Sequence, residues 1–155
     1  MECMKKMRIP TLTVDPGIAN TGWAEWSPDR KLLACGVIET SNKETLISRL
    51  HTITSRLHGA SDIIVMEDFV GHLGKKTVML LGAIYATQSH PCYRVHPRRW
   101  TGELFGRGHD SNYYKKSAEA LASLSGLPFK TQHEADAISM LCWVALKNNL
   151  EGVYE

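Results

Sequence analysis

Several things are scarce in this sequence, and each shortage removes a class of protein. Its 155 residues hold four cysteines, Cys3, Cys35, Cys92 and Cys142, with no CxxC pair and no zinc-ligand spacing, which excludes a disulfide scaffold and a zinc module. Cys35, Cys92 and Cys142 each sit in an apolar run, where a free thiol acts as a small hydrophobe, so a reducing, cytoplasmic setting is expected. No apolar run approaches the roughly 18 residues of a membrane span. The opening residues, MECMKKMRIP, carry basic side chains but no apolar stretch of signal-peptide length, and no membrane association is expected. Repeats, low-complexity tracts and Pro- or Ser-rich linkers are missing, so residues 8–150 are expected to form a single domain. Net charge is scarce too: 18 Lys and Arg oppose 16 Asp and Glu, a formal +2.

What is present is an ordinary globular balance, 43% apolar and 22% charged. A chain of this size buries roughly two-thirds of its unfolded surface, enough for a core without a staple. The charge is unevenly placed. Between Arg94 and Lys116, the cations Arg94, Arg98, Arg99, Arg107, Lys115 and Lys116 meet only Glu103 and Asp110, which leaves the rest of the chain net acidic.

Hydrophobic patterning orders the elements. Leu12-Thr13-Val14 is a short β-prone run ending at Asp15, and Pro16-Gly17 is a turn signal. Thr21 to Trp26 and Lys31 to Ile38 read as two further strands, joined closely enough for an antiparallel meander. Ser41-Asn42-Lys43-Glu44 has the form of a capping box, and Leu46, Ile47, Leu50, Ile53 and Leu57 recur behind it at helical spacing, over about four turns. Ile63 to Met66 is apolar throughout and ends in Glu67-Asp68, as a central parallel strand would. A basic loop, His72 to Lys76, precedes Val78 to Ala86, a helix apolar nearly all round, which must be buried in the core or against a second subunit. Tyr93-Arg94-Val95 is a fifth strand, stopped by Pro97. Ser111 begins an Ala-rich helix that ends at Gly126. A last helix starts at Thr131, whose Thr-Gln-His-Glu is a second capping box, and carries Ile138, Leu141, Cys142 and Ala145 as its apolar stripe. The order βββαβαβ followed by two helices is an α/β pattern: a five-stranded mixed sheet, three strands in an antiparallel meander and two parallel, with helices on both faces.

Chemistry gathers at the strand ends. Asp15 closes the first strand and Glu67 the fourth, and adjacent parallel strands would bring both to the carboxyl edge, where α/β sheets place their ligands. Carboxylates that close repel unless a cation lies between them, and hard oxygen donors suit Mg²⁺ or Mn²⁺. His133 and Asp136, three residues apart, share a helix face and can supply a third and a fourth ligand. Two metal ions in such a site serve phosphoryl transfer, one activating water and the other neutralising the leaving oxygen. Glu134 is assigned to its capping box, and strand alternation turns Asp68 to the opposite side from Glu67.

Val14-Asp15-Pro16-Gly17 with Thr21-Gly22-Trp23-Ala24, then Val65-Met66-Glu67-Asp68-Phe69, then His133-Glu134-Ala135-Asp136-Ala137, resemble in order and separation the RuvC family of Holliday-junction resolvases, across residues 10 to about 148. The resemblance implies an RNase H-like fold, a homodimer that cuts two strands of a four-way DNA junction symmetrically, and two divalent ions, Mg²⁺ with Mn²⁺ as substitute. It puts Asp15, Glu67 and Asp136 on the catalytic carboxylates and His133 where members carry Asp or His. It puts Phe69 near the aromatic set against junction bases, and makes the Val78–Ala86 helix the dimer interface.

A polyanion beside an acidic site needs basic neighbours. Lys75 and Lys76, Arg98 and Arg99, Lys115 and Lys116, and Arg107 in the flexible-looking Gly106-Arg107-Gly108 loop are the candidates for DNA binding. Trp100, Tyr113 and Tyr114 lie among them as possible stacking partners, although Tyr114 with Ala118 and Leu121 also makes a helical core stripe. The expectation is a metal-dependent, structure-selective endodeoxyribonuclease resolving four-way junctions by paired nicks. His133 would act as a ligand or as a proton carrier, with activity falling at acid pH. The alternatives are an RNase H-like nuclease acting on forks or RNA, and a junction-binding protein without turnover.

Overall fold

The fold is described by a computed structural model covering residues 9–27, 32–57, 61–68 and 74–147. Its centre is a five-stranded sheet of order β3-β2-β1-β4-β5. β1 (Thr11–Asp15), β2 (Asn20–Ser27) and β3 (Leu32–Glu39) form the antiparallel meander. β4 (Ile63–Glu67) and β5 (Cys92–Val95) run parallel to β1. The helices are α1 (Leu46–Arg56), α2 (Lys75–Thr87), α3 (Pro97–Phe105), α4 (Ser111–Leu124) and α5 (Gln132–Leu146). This is the expected mixed α/β sheet.

The two-residue alternation of strands sorts each side chain to a face. Leu12 and Val14 of β1 and Ile64 and Met66 of β4 point one way, into a core closed by Ile53 of α1 and Leu80, Leu81 and Ile84 of α2. On the other face Ala24 meets Ala135, Ala137, Ile138 and Leu141 of α5. There too Ile63, Val65 and Val95 pack with Trp100 of α3 and Met140, Trp143 and Val144 of α5. Helices therefore cover both faces. Thr13, also on the α5 side, donates its hydroxyl proton to Ala137 O at 2.6 Å and pins that helix to the central strand.

The structure corrects the sequence reading at four places. Residues 41–44 are a turn, with Ser41 Oγ accepting from Lys43 N at 3.2 Å. The cap of α1 is Thr45, which accepts from Ser48 N, and the helix has 11 residues, about three turns instead of four. Lys75 and Lys76 belong to the first turn of α2 and not to a loop. A helix, α3, follows β5, so Pro97 stops the strand and also starts the helix. Proline at a helix start gives up an amide proton that has no partner there anyway, and the His96 ring caps the turn by accepting from Arg98 N at 3.1 Å. α5 is buried all round from Ala137 to Ala145, because α4 and α3 cover the side turned away from the sheet. α2, for which core and subunit interface were both open, buries Leu80, Leu81 and Ile84 and leaves Val78, Met79 and Tyr85 about half exposed in the single chain.

Candidate active site

The site begins with a turn. Asp15 ends β1, and Thr21 closes the Pro16-Gly17 reversal, its hydroxyl donating to Gly17 O at 2.8 Å. β2 then returns with Gly22 directly opposite Asp15. A β-carbon on Gly22 would stand 2.2 Å from the backbone carbonyl of His133, so the missing side chain lets the first turn of α5 rest on the sheet at this point. Thr131 caps that turn by accepting from Glu134 N at 3.3 Å. The Glu134 carboxylate accepts from Lys130 N, one residue before the cap, and from the Cys35 thiol, which keeps it out of the acidic site. With α5 set down here, His133 Nδ1 lies 2.7 Å from Asp15 Oδ2.

Glu67 leaves β4 on the same face as Ile63 and Val65, the α5 side. Its Oε2 accepts a hydrogen bond of 2.8 Å from the indole Nε1 of Trp100. Asp136 stands one turn beyond His133, and Gln132, at the favourable i,i+4 spacing, donates to its Oδ1 at 2.7 Å. Each of the three carboxylates thus has its own side-chain partner: His133, Trp100 and Gln132.

The charges are felt across the site. Burial, reinforced by the negative charge of Asp15, pushes Glu67 up to about 8, against the pull of the Trp100 N–H. Burial and Asp15 raise Asp136 to about 7, opposed by Gln132, His133 and Lys115. The Asp15 hydrogen bond holds His133 above the ordinary histidine range although burial works the other way. Asp68 lies outside this set, as alternation requires, with its Oδ1 3.9 Å from Arg94 Nη1.

The predicted DNA-binding residues lie on α2, α3, α4 and the loop between the last two. Lys115 is exposed and near enough to Asp136 to lower its pKa. Lys116 is exposed on the same helix, Arg98 on α3, and Lys75 and Lys76 at the start of α2. Arg99 is turned toward the protein, 3.8 Å from Glu103 and over the Trp143 ring. Arg107 is exposed, but its loop is tied: the Tyr114 hydroxyl donates to Gly106 O at 2.9 Å, and His109 stacks on Tyr113 with centroids 3.8 Å apart. Gly106 and Gly108 there adopt φ of 88° and 84°, so the glycines serve conformation more than looseness. Trp100, a candidate for base stacking, is 2% exposed and closed off from bases. Phe69 lies outside the described residues.

Sequence reasoning missed Trp100 and Gln132 as partners of the carboxylates. The Gln132–Asp136 spacing was available as a signal, and His96-Pro97 as a helix start. That Trp100 would reach Glu67, 33 residues earlier, has no local signal.

No family model and no curated protein matches the chain. Solved structures do. Thermus thermophilus RuvC superposes with a TM-score of 0.71 at 22% identity, over 94% of this chain and 98% of that one. T. thermophilus RuvC in complex with a Holliday junction substrate gives 0.67 at 19% identity, over 89% and 93%. The fowlpox virus resolvase with its substrate Holliday junction DNA gives 0.57 at 13%, over 95% and 100%. The chain has the RNase H-like fold of RuvC. No helix among the described residues is long and apolar enough to cross a membrane.

Proposed function

We propose that this protein is a RuvC-like resolvase, a metal-dependent endonuclease that cuts four-way DNA junctions by paired symmetric nicks. The observation that carries this reading is the gathering of Asp15, Glu67 and Asp136 at one sheet edge, near enough that the charge of Asp15 helps both others keep their protons near neutral pH. Among the described residues no group of three His, Cys, Asp or Glu side chains is arranged to hold an ion as they stand. In kind, however, the donors fit: carboxylate oxygens that repel one another are the ligands a hard divalent cation relieves. Asp15, Glu67, Asp136 and His133 would hold two Mg²⁺ ions, or Mn²⁺, which would supply water activation and charge neutralisation at the scissile phosphate.

The chain's own residues orient and exclude. Gly22 lets α5 approach, Thr13 anchors it, and Asp15 turns the His133 ring. With Nδ1 engaged by Asp15, His133 has Nε2 left for either task, ligand or proton carrier. Lys115 beside Asp136 is placed to receive a phosphate, with Lys116, Lys75, Lys76, Arg98 and Arg107 extending the basic surface, and Phe69 as a candidate for the junction bases. Paired nicks need two such sites. The half-exposed Val78, Met79 and Tyr85 of α2 are the surface on which a second copy would pack to form the homodimer, with the chain acting as one domain. The test is cleavage of an immobile four-way junction against linear duplex. Paired nicks confined to the junction support the reading, and binding without cleavage supports a junction-binding module instead.

A further inference from the structure

Trp100 is an unusual partner for a carboxylate proposed to bind metal. Its ring is 2% exposed, wedged among Ile63, Val65, Val95, Met140, Trp143 and Val144, and set edge-on to Phe105 with centroids 6.3 Å apart. The helix that carries it is clamped at its far end: Glu103 accepts from the Trp143 indole at 2.8 Å and pairs with Lys147, the residue that caps the end of α5. The indole N–H is therefore a rigid donor with one direction, and that direction ends on Glu67 Oε2 at 2.8 Å.

The choice of donor matters. A lysine or arginine here would neutralise Glu67 and compete with a cation for it. A hydroxyl or amide could turn round and accept instead. Indole donates only and carries no charge, so it fixes one oxygen of the carboxylate and leaves its negative charge, and the other oxygen, available.

We infer that Trp100 is the positioning residue of Glu67, holding its carboxylate by one oxygen in the orientation in which the other receives a divalent ion. The inference rests on the reading of Glu67 as a metal-binding carboxylate. Partners of this kind, bonded to a ligand and not to the metal, typically change metal affinity or activity by about 10–100-fold when lost.

The test uses the full-length protein and Mg²⁺ alone, without DNA. In nitrogen–proton NMR spectra the four tryptophans give four indole signals, and Trp100→Phe identifies one of them. In the wild type, the Trp100 indole signal should shift as Mg²⁺ saturates, more than those of Trp23, Trp26 and Trp143, and Glu67→Gln should shift it without Mg²⁺. Trp100→Phe, which keeps an aromatic ring in the core, should weaken Mg²⁺ binding about tenfold by calorimetry. If that variant does not fold, Trp23→Phe, Trp26→Phe and Trp143→Phe assign the Trp100 signal by elimination, and the wild-type titration and Glu67→Gln still decide. Mg²⁺ binding with an unmoved Trp100 signal, or with equal affinity in a folded Trp100→Phe, overturns the positioning role and leaves the metal site standing. No Mg²⁺ binding by the wild type overturns both.

Discussion

The two faces of the central sheet start from the same alternation of side chains and finish differently. Toward α1 and α2, strand residues meet aliphatic side chains, and the outer helix is left with Val78, Met79 and Tyr85 uncovered. Toward α5, polar groups are individually tied: Thr13 to Ala137, Asp15 to His133, Glu67 to Trp100 and Asp136 to Gln132. Apolar packing is non-directional and tolerates rearrangement, whereas hydrogen-bonded carboxylates in a buried setting demand one geometry. One face is thus held to a single geometry and the other is left with open apolar side chains; in the proposed resolvase the first does the chemistry and the second takes the partner copy.

The hardest blow to the α5 face is at Gly22. Gly22→Ala sets a β-carbon against the His133 backbone, and overpacking of this kind costs about 1–3 kcal/mol. Because the shift falls on the turn that holds His133 to Asp15, cleavage should drop by about a hundredfold or more, the effect a displacement of about 1 Å has on an aligned site. Parallel melting and cleavage assays check this, and full activity in the variant would show that the close approach is not needed. On the α2 face, Met79→Glu puts a charge on the proposed subunit contact without touching the carboxylates. Dimer dissociation should strengthen by about a hundredfold, equal to about 2.7 kcal/mol, while the melting of the isolated chain stays unchanged. Sedimentation equilibrium reads the outcome.

The faces also separate by pH. Glu67 and Asp136 keep their protons up to about 8 and 7 in the folded chain, against ordinary values of 4.5 and 3.8. The folded state therefore binds more protons than the unfolded one between those limits, and stability falls as pH rises through them. His133, raised above its ordinary value, acts in the same direction. The metal-free protein should melt lower at pH 8 than at pH 5, and Mg²⁺ should restore more at pH 8, since binding to the folded state alone stabilises it. A metal-free midpoint that climbs from pH 5 to 8 would contradict the packed carboxylates.

The smallest effect is expected at the clamp on α3. Burial works to raise Glu103, but the bonds from Lys147 and Trp143 prevail and hold it below the usual carboxylate value. Its contribution is present above the unfolded carboxylate pKa and lost as pH falls through the lower, folded one. Partly exposed pairs are screened, so Glu103→Gln should cost under about 1 kcal/mol at neutral pH. The gap from wild type should close in acid, as denaturant titration at both pH values would report.

Much of this architecture was legible in the residues. A short β-prone run ending at Asp15 and a continuous apolar run ending at Glu67 marked strands with their acids at one edge, and the His133-to-Asp136 spacing marked a shared helix face. Local signals misled where two readings compete over a few residues. Ser41 and Thr45 can both cap, and the downstream one does. Pro97 ends a strand and also begins a helix, and only the second use brings Trp100 to the site. The Gly22 contact with α5 and the Trp100 bond to Glu67 join residues far apart in the chain, and nothing in their neighbourhoods encodes the partner. The apolar wrap of Val78 to Ala86 left core and interface open, and the exposed residues of α2 in the single chain decide against full core burial.

The most direct test is cleavage of a synthetic immobile four-way junction with Mg²⁺, run beside linear duplex, comparing wild type with Asp15→Asn. The proposed resolvase makes paired symmetric nicks on the junction alone, and Asp15→Asn loses them while junction binding persists. A wild type that binds the junction without cutting it in Mg²⁺ or Mn²⁺, or an Asp15→Asn variant that cuts as well as wild type, would contradict that proposal.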